Sequence, residues 1–297
     1  LIAEGVLVET FNGIVRIAYE DLGGAGGDPL LLVMGLGVSR HWWPPGFVSA
    51  LVEQGFHVVA YDQRDSGEST RFADEQHVHP FAALFRGRSS PYTAEDMTDD
   101  AVAVLDAVGW DSANLFGHSM GGLLAQRIAL RHPGRVRSIT VSGAMPSDVT
   151  GLWQLRHIRL GFVLRMSRLR FPEGPEGDVA AGLALARAIA SPGYPFDEAA
   201  VRAAVEREVG SGIRDVRAQS RQTGATWHGG RLAELSVPAL VLHGEQDPVL
   251  WPSAARATAG AVPDARLVLL PGVGHDLPGS LWPRIAGEVR ELADRVR

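Results

Sequence analysis

The sequence predicts an α/β fold, a doubly wound, mostly parallel sheet whose strand–helix alternation is interrupted late by a helical insertion. Three observations predict it. Short, wholly apolar runs such as Leu30–Met34 recur, as in strands buried on both faces of a parallel sheet. Amphipathic stretches with helix start and stop signals separate them. From about Pro146 to Leu232 the apolar runs cease, and they resume at Ala239. Repeated β-α units of this kind wind onto a single sheet.

In chain order, Val6–Thr10 and Ile14–Glu20 read as strands meeting at Asn12-Gly13, a hairpin signal. Asp21–Pro29 is a Gly-rich loop and Leu30–Met34 the third strand. Phe47–Gln54 reads as a helix ended by Gly55, and His57–Tyr61 as the fourth strand. Thr93 opens a long amphipathic helix, with Glu95 and Asp96 in its first turn and Gly109 as C-cap. Ala113–Phe116 is a strand, Met120–Arg131 a helix stopped by Pro133, and Val136–Val141 a strand. The insertion carries helical stretches at Trp153–Phe171 and Asp178–Ala190, followed by a break at Ser191-Pro192-Gly193. Ala239–Leu242, Pro252–Ala261, Leu267–Leu270 and Pro283–Val296 complete the alternation. The expected organisation is a first core part at 1–145, a helical lid at 146–232 and a second core part at 233–297.

Composition narrows the function classes. The 297 residues are 45% hydrophobic and 21% charged, enough apolar material for a large core. A net charge of −6 with no basic run argues against nucleic acid as a partner. The absence of cysteine excludes disulfides and thiolate chemistry and suits a reducing cytoplasm, the expected location. The first residues lack a charged segment leading into an apolar one, so no signal peptide is expected. No uncharged apolar run approaches the roughly 20 residues of a membrane span, so no membrane partner is expected either.

The chemistry concentrates in a few motifs. Gly117-His118-Ser119-Met120-Gly121-Gly122 lies between an apolar strand and a helix, the context of a nucleophile elbow. Such a turn is tight enough that the neighbours of the serine must lack side chains. It sets the hydroxyl at a helix N-terminus, where backbone N–H groups favour developing negative charge. A neutral serine hydroxyl needs a base, and ten histidines compete for that role. His275 follows the last strand in a Gly-rich loop, Pro271-Gly272-Val273-Gly274-His275-Asp276, and is the choice. His77 and His79 form a bare pair without a third ligand nearby, so no metal is expected. Asp247 lies just past a buried strand and completes the order Ser, Asp, His as the acid that orients the base. Glu245 is a nearby rival and Asp148 a second candidate after the earlier strand. Two backbone N–H groups are expected to hold an oxyanion, that of Met120 and that of Leu36 in Met34-Gly35-Leu36-Gly37, with Gly35 as the alternative.

With these motifs assembled, the chain resembles the α/β-hydrolase superfamily over essentially its whole length, and within it the aclacinomycin methylesterase group. Superfamily members usually have His-Gly before the oxyanion donor; here Met34 replaces that His, as in the methylesterase branch. Many members carry D-x-R-G-x-G-x-S after the fourth strand. This chain has Asp62-Gln63-Arg64-Asp65-Ser66-Gly67-Glu68-Ser69, with Asp65 where Gly is usual, again similar to that branch. The elbow departs from the branch, with His118 in place of Leu.

The residues thus lead to a serine hydrolase that cleaves a carboxylic ester without a cofactor. The resemblance implies a methyl ester or lactone of a bulky, mostly apolar small molecule, of the polyketide type found in antibiotic biosynthesis. Trp153, Phe162, Met166 and Trp227 are the candidate walls contributed by the lid. A C–C hydrolase or a cofactor-free perhydrolase remains open on the same fold. So does a receptor that closes its lid on a hormone-like ligand. Oligomeric state is not legible.

Overall fold

The computed structural model describes residues 7–72, 90–210 and 216–296. Among them eight strands form one sheet: β1 (Leu7–Asn12), β2 (Val15–Gly23), β3 (Asp28–Val33), β4 (Phe56–Tyr61), β5 (Ala113–His118), β6 (Val136–Ser142), β7 (Ala239–Gly244) and β8 (Ala265–Leu270). Their order is β1-β2-β4-β3-β5-β6-β7-β8. β1 and β2 pair antiparallel, as do β2 and β4, and every other neighbouring pair is parallel. The hairpin closes with Asn12 opposite Val15, so Gly13 and Ile14 are the turn. Ile14, expected in the second strand, is instead a turn residue and 94% exposed. A two-residue turn leaves it no ladder partner.

Helices cover both faces, and the apolar runs of the central strands follow from that. α1 (Pro45–Glu53) lies on one side, α2 (Ala94–Ala107) and α3 (Met120–Arg131) on the other. Along β3, Leu30 and Leu32 join the cluster that holds Phe47 and Leu51 of α1. Leu31 and Val33 join the one that holds Val104 of α2 and Leu124 of α3. The period-two alternation of a strand therefore points apolar residues both ways. α2 starts as its sequence implies. Thr93 Oγ1 accepts the Asp96 N–H and Asp96 accepts the Thr93 N–H, a capping box.

Between β6 and β7 the described residues form no strand. A 3₁₀ turn (Gly151–Arg156) is followed by α4 (Leu160–Ser167), α5 (Pro175–Ile189), α6 (Glu198–Gly210), α7 (Val216–Gly224) and a 3₁₀ turn at Leu232–Glu234. The single helix expected over Trp153–Phe171 is broken. At the break Ile158 bridges Leu250, Arg159 N–H donates to the Val249 carbonyl at 2.9 Å, and Trp251 N–H donates to the His157 carbonyl at 2.8 Å. These ties to the loop beyond β7 pull the backbone out of helix, and helical periodicity carries no trace of them. α8 (Pro252–Ala261) and α9 (Trp282–Asp294) complete the fold, with α9 packing beside α1.

Candidate active site

The elbow forms where β5 gives way to α3. Ser119 is the N-cap of α3 with φ 55° and ψ −123°, a conformation that non-glycine residues rarely hold. Two glycines permit it. A Cβ on Gly117 would overlap the Gly121 carbonyl, and one on Gly121 would overlap the Val33 carbonyl at the end of β3. The Ser119 N–H donates to the Ser142 carbonyl at 2.8 Å, which pins the turn to β6.

The loops beyond the carboxyl ends of β7 and β8 bring Asp247 and His275 to the serine. His275 Nε2 lies 2.9 Å from Ser119 Oγ, and His275 Nδ1 lies 2.6 Å from Asp247 Oδ2. The other carboxylate oxygen of Asp247 accepts the N–H groups of Val249 at 2.7 Å and Leu250 at 2.9 Å, so the carboxylate is fixed before it meets the imidazole. The base loop is held from the insertion. His275 N–H donates to the Ile189 carbonyl at 2.8 Å, and Gly274 N–H donates to Ser191 Oγ at 2.8 Å. Ser191 Oγ also donates to Asp276. Of the rival acids, Glu245 is exposed, and Asp148 accepts the Leu232 N–H at 3.2 Å.

The electrostatics follow from burial and pairing. Burial disfavours an imidazolium at His275, but the charge and hydrogen bond of Asp247, with Asp276 beyond, outweigh it and raise the His275 pKa. Burial likewise works against charge on Asp247. The charge and hydrogen bond of His275, aided by His243 and the Leu250 N–H, win and lower its pKa. His118 is packed 5.1 Å from the His275 ring, and its Nδ1 lies 3.2 Å from Ser142 Oγ. Burial first, and then the charge of His275, push its pKa down to about 3. It is therefore a neutral neighbour. His243, also buried, is lowered mainly by desolvation, and its Nε2 stands 3.6 Å from Asp247 Oδ2.

The loop after β3 lies against the serine. A Cβ on Gly35 would sit 3.2 Å from Ser119 Cβ. Among the described residues neither the Leu36 N–H nor the Met120 N–H is hydrogen-bonded, and both residues line the cavity above Ser119. The Gln63 amide donates to the Met34 carbonyl, and Gly37 N–H donates to Gln222 Oε1 at 2.9 Å. Gln63 stands in the sequence as a motif position only, and Gln222 is marked by no local pattern. Asp65 explains its own departure from glycine. It holds the left-handed φ of 68° that Gly would take, and its carboxylate accepts Arg221 Nε at 2.9 Å, Arg221 Nη2 at 2.8 Å and the Tyr92 hydroxyl at 2.6 Å.

A cavity of about 2010 Å³ opens over Ser119 and His275, larger than the roughly 300–1,000 Å³ of most ligand sites. Phe162, Met166 and Trp227 line it. Trp153 does not, which corrects its assignment as a wall. The 3₁₀ turn at Gly151–Arg156 buries Gln154 inward and turns Trp153 outward, 69% exposed and beneath the Arg156 guanidinium. Three residues per turn put 151, 154 and 157 on one side and 153 on another. Arg127, also on the cavity wall, lies 5.4 Å from the Trp227 ring centroid and donates to the Ser147 carbonyl at 3.2 Å. Burial, against the pull of Glu95, lowers its pKa to about 10, and its Nε has no partner among the described residues.

Among the described residues no cluster of three or more metal-ligating side chains occurs, and no helix is long and apolar enough to cross a membrane. The His77 and His79 pair lies outside the described residues.

A family model for the alpha/beta hydrolase fold matches residues 28–278. The chain belongs to the alpha/beta hydrolase fold family. This hydrolase-fold chain is 29% identical to the rhodomycin D methylesterase DauP of Streptomyces sp. (strain C5), over 93% of its length and 94% of that protein. It is also 29% identical to the rhodomycin D methylesterase DnrP of Streptomyces peucetius, over 94% of its length and 95% of that protein. Both meet the likeness to a methylesterase branch read from the motifs. Among solved structures, the esterase RhEst1 from Rhodococcus sp. ECU1013 aligns with a TM-score of 0.70 at 23% identity, covering 98% of this chain and 99% of that one, a likeness of fold.

Proposed function

We propose that the protein hydrolyses a carboxylic ester of a bulky, mostly apolar small molecule, a methyl ester or lactone of a polycyclic acid, through an acyl-enzyme on Ser119. The observation that carries this reading is a serine hydroxyl 2.9 Å from an imidazole backed by a buried carboxylate, beneath one large cavity. His275 Nε2 takes the hydroxyl proton as Ser119 Oγ attacks the acyl carbon. The carbonyl oxygen gains charge and is held by the Leu36 and Met120 N–H groups. Asp247 stabilises the imidazolium, which then gives its proton to the leaving alkoxide and releases the alcohol. Water repeats the sequence on the acyl-enzyme, with His275 as base, and frees the acid and Ser119.

The substrate reading rests on the cavity. Its size, its walls at Phe162, Met166 and Trp227, and full-length similarity to two methylesterases support a large ester over a short one. In this reading the insertion acts as a lid, and the cysteine-free chain works in the cytoplasm. The test is product analysis. Methyl esters of polycyclic aromatic acids should release methanol and the free acid with a higher kcat/KM than p-nitrophenyl acetate. Saturable binding of every large ester without methanol release would point to a receptor. Turnover confined to short activated esters would remove the bulky-substrate assignment.

A further inference from the structure

The oxyanion loop and the helical insertion meet in one side chain. Gln222, buried on α7, accepts the Gly37 N–H at 2.9 Å through Oε1. Its amide donates to the Arg64 carbonyl at 2.8 Å and to Ser66 Oγ at 3.0 Å. α7 is itself anchored next door, where Arg221 grips Asp65 through two nitrogens and both side chains are almost fully buried. Gly37 holds a φ of 64°, and a Cβ there would overlap the Gln219 side chain, so the loop backbone lies directly on α7. At the loop's other end the Gln63 amide holds the Met34 carbonyl.

The consequence is geometric. Peptide units are planar, so the bond to Gly37 N–H fixes the whole Leu36–Gly37 peptide, and the bond to the Met34 carbonyl fixes the Met34–Gly35 peptide. The Leu36 N–H belongs to the peptide between them; it makes no hydrogen bond among the described residues, Leu36 lines the cavity, and the two fixed neighbours leave that peptide little rotation. A donor aimed in advance at the developing oxyanion costs no reorganisation when the charge appears, and this is what makes such donors effective.

We infer that Gln222 is a positioning residue for oxyanion stabilisation, so that the insertion completes a reactive part of the site as well as covering it. The inference rests on the ester-hydrolase reading above. Arg221 and Asp65 hold the helix, Gln222 holds the loop, and the Leu36 N–H is aimed as a result. Without the Gln222 oxygen, the Gly37 N–H must find another acceptor, and the peptide chain through Leu36 turns with it.

The test compares wild type with Gln222→Met, which keeps the length and loses both kinds of hydrogen bond, and Gln222→Glu, which keeps an acceptor for Gly37. Each is assayed for kcat, KM, melting temperature, the pH midpoint of kcat/KM, and inhibition by a trifluoromethyl ketone that forms a tetrahedral adduct on Ser119. Gln222→Met should lower kcat by about 10- to 100-fold, short of the loss seen when an oxyanion donor is deleted outright. KM should stay within about threefold, because the lost interaction belongs to the transition state. The ketone should weaken by the same factor as kcat, and the pH midpoint should stay put. Gln222→Glu, which keeps the acceptor for Gly37 but sets a carboxylate oxygen where the amide donated to the Arg64 carbonyl, should recover part of the loss. If Gln222→Met does not fold, Gln222→Asn, one methylene short, takes its place with the same expected split. Wild-type kcat and ketone affinity in the variant that folds, or a loss confined to KM, would overturn the inference and leave the ester reading standing. Wild-type protein with no ester turnover and an unreactive Ser119 would remove that reading, and the inference with it.

Discussion

The sheet and the helical insertion are stabilised in different ways. Leu30 to Val33 of β3 and all of β7 are buried, and the two large apolar clusters lie on opposite faces of the sheet. In the insertion, α4 buries no residue, with Leu160 and Leu164 half exposed, and α6 buries only Val205. The core is held by apolar area removed from water on both faces. The insertion is tied down by directional contacts: Arg221 on Asp65, Gln222 on Gly37, the Ile189 carbonyl on the His275 N–H, and Ser191 on Gly274. Each of these lands on a loop that carries a candidate reactive group or on its neighbour. The insertion is thus joined to the site loops at several points by individual hydrogen bonds and an ion pair, whereas the strands of the core are held by packing.

The largest expected effects belong to groups that the core positions. His275→Ala and Asp247→Asn should each lower kcat about 10³- to 10⁴-fold, and the double variant should cost little more than the worse single one. Steady-state kinetics on one methyl ester decides this. A silent Asp247→Asn beside a crippled Asp148→Asn would move the acid to the segment after β6.

Stability should divide the regions next. Leu31→Ala, wholly buried in β3, should cost about 2–5 kcal/mol in chemical denaturation. Leu164→Ala on α4 should stay within about 0.5 kcal/mol. Equal losses would mean that the insertion shares the core's packing after all.

Within the insertion, position should outweigh residue type. Trp227→Ala removes a cavity wall and should cost large esters about 1–3 kcal/mol in kcat/KM, with short esters spared. Trp153→Ala, on the outer surface, should leave both classes unchanged. Matching effects at the two tryptophans would break the distinction between inner and outer faces.

The pH profile is the mildest probe. The pKa of His275 is raised, so its neutral, proton-accepting form is lost at a higher pH than for an ordinary histidine. kcat/KM should therefore fall about tenfold per pH unit on the acid side of a midpoint above about 6.5. His118, held near 3, should add no second inflection in the working range. A midpoint below that of free histidine would mean that burial, not Asp247, dominates at the base.

Most of the core was legible in the sequence because its signals are local. Apolar runs between turn residues gave the strands, and Thr93 with Asp96 gave a helix start that the capping box bears out. The Gly117–Gly121 spacing foretold the strand–turn–helix geometry at Ser119, since only glycine fits against the carbonyls it meets. Ser119, Asp247 and His275 could be proposed because chain order and loop position mark them. The insertion was legible in class and not in detail. Its break at His157 depends on a bridge to Leu250, distant in sequence, and the outward turn of Trp153 depends on a 3₁₀ period that looks helical in a short window. Gln222 was invisible for the same reason, because its significance lies in Gly37, which the chain brings near only after folding.

Under the proposed mechanism Ser119, activated by His275, forms the covalent intermediate. Peptide-level mass spectrometry after treatment with a fluorophosphonate tests it most directly, run on wild type, Ser119→Ala and His275→Ala. One adduct per chain is expected, on the peptide that bears Ser119, absent in Ser119→Ala and much slower to form in His275→Ala. An adduct on another residue, or ester turnover undiminished in Ser119→Ala, would contradict the account.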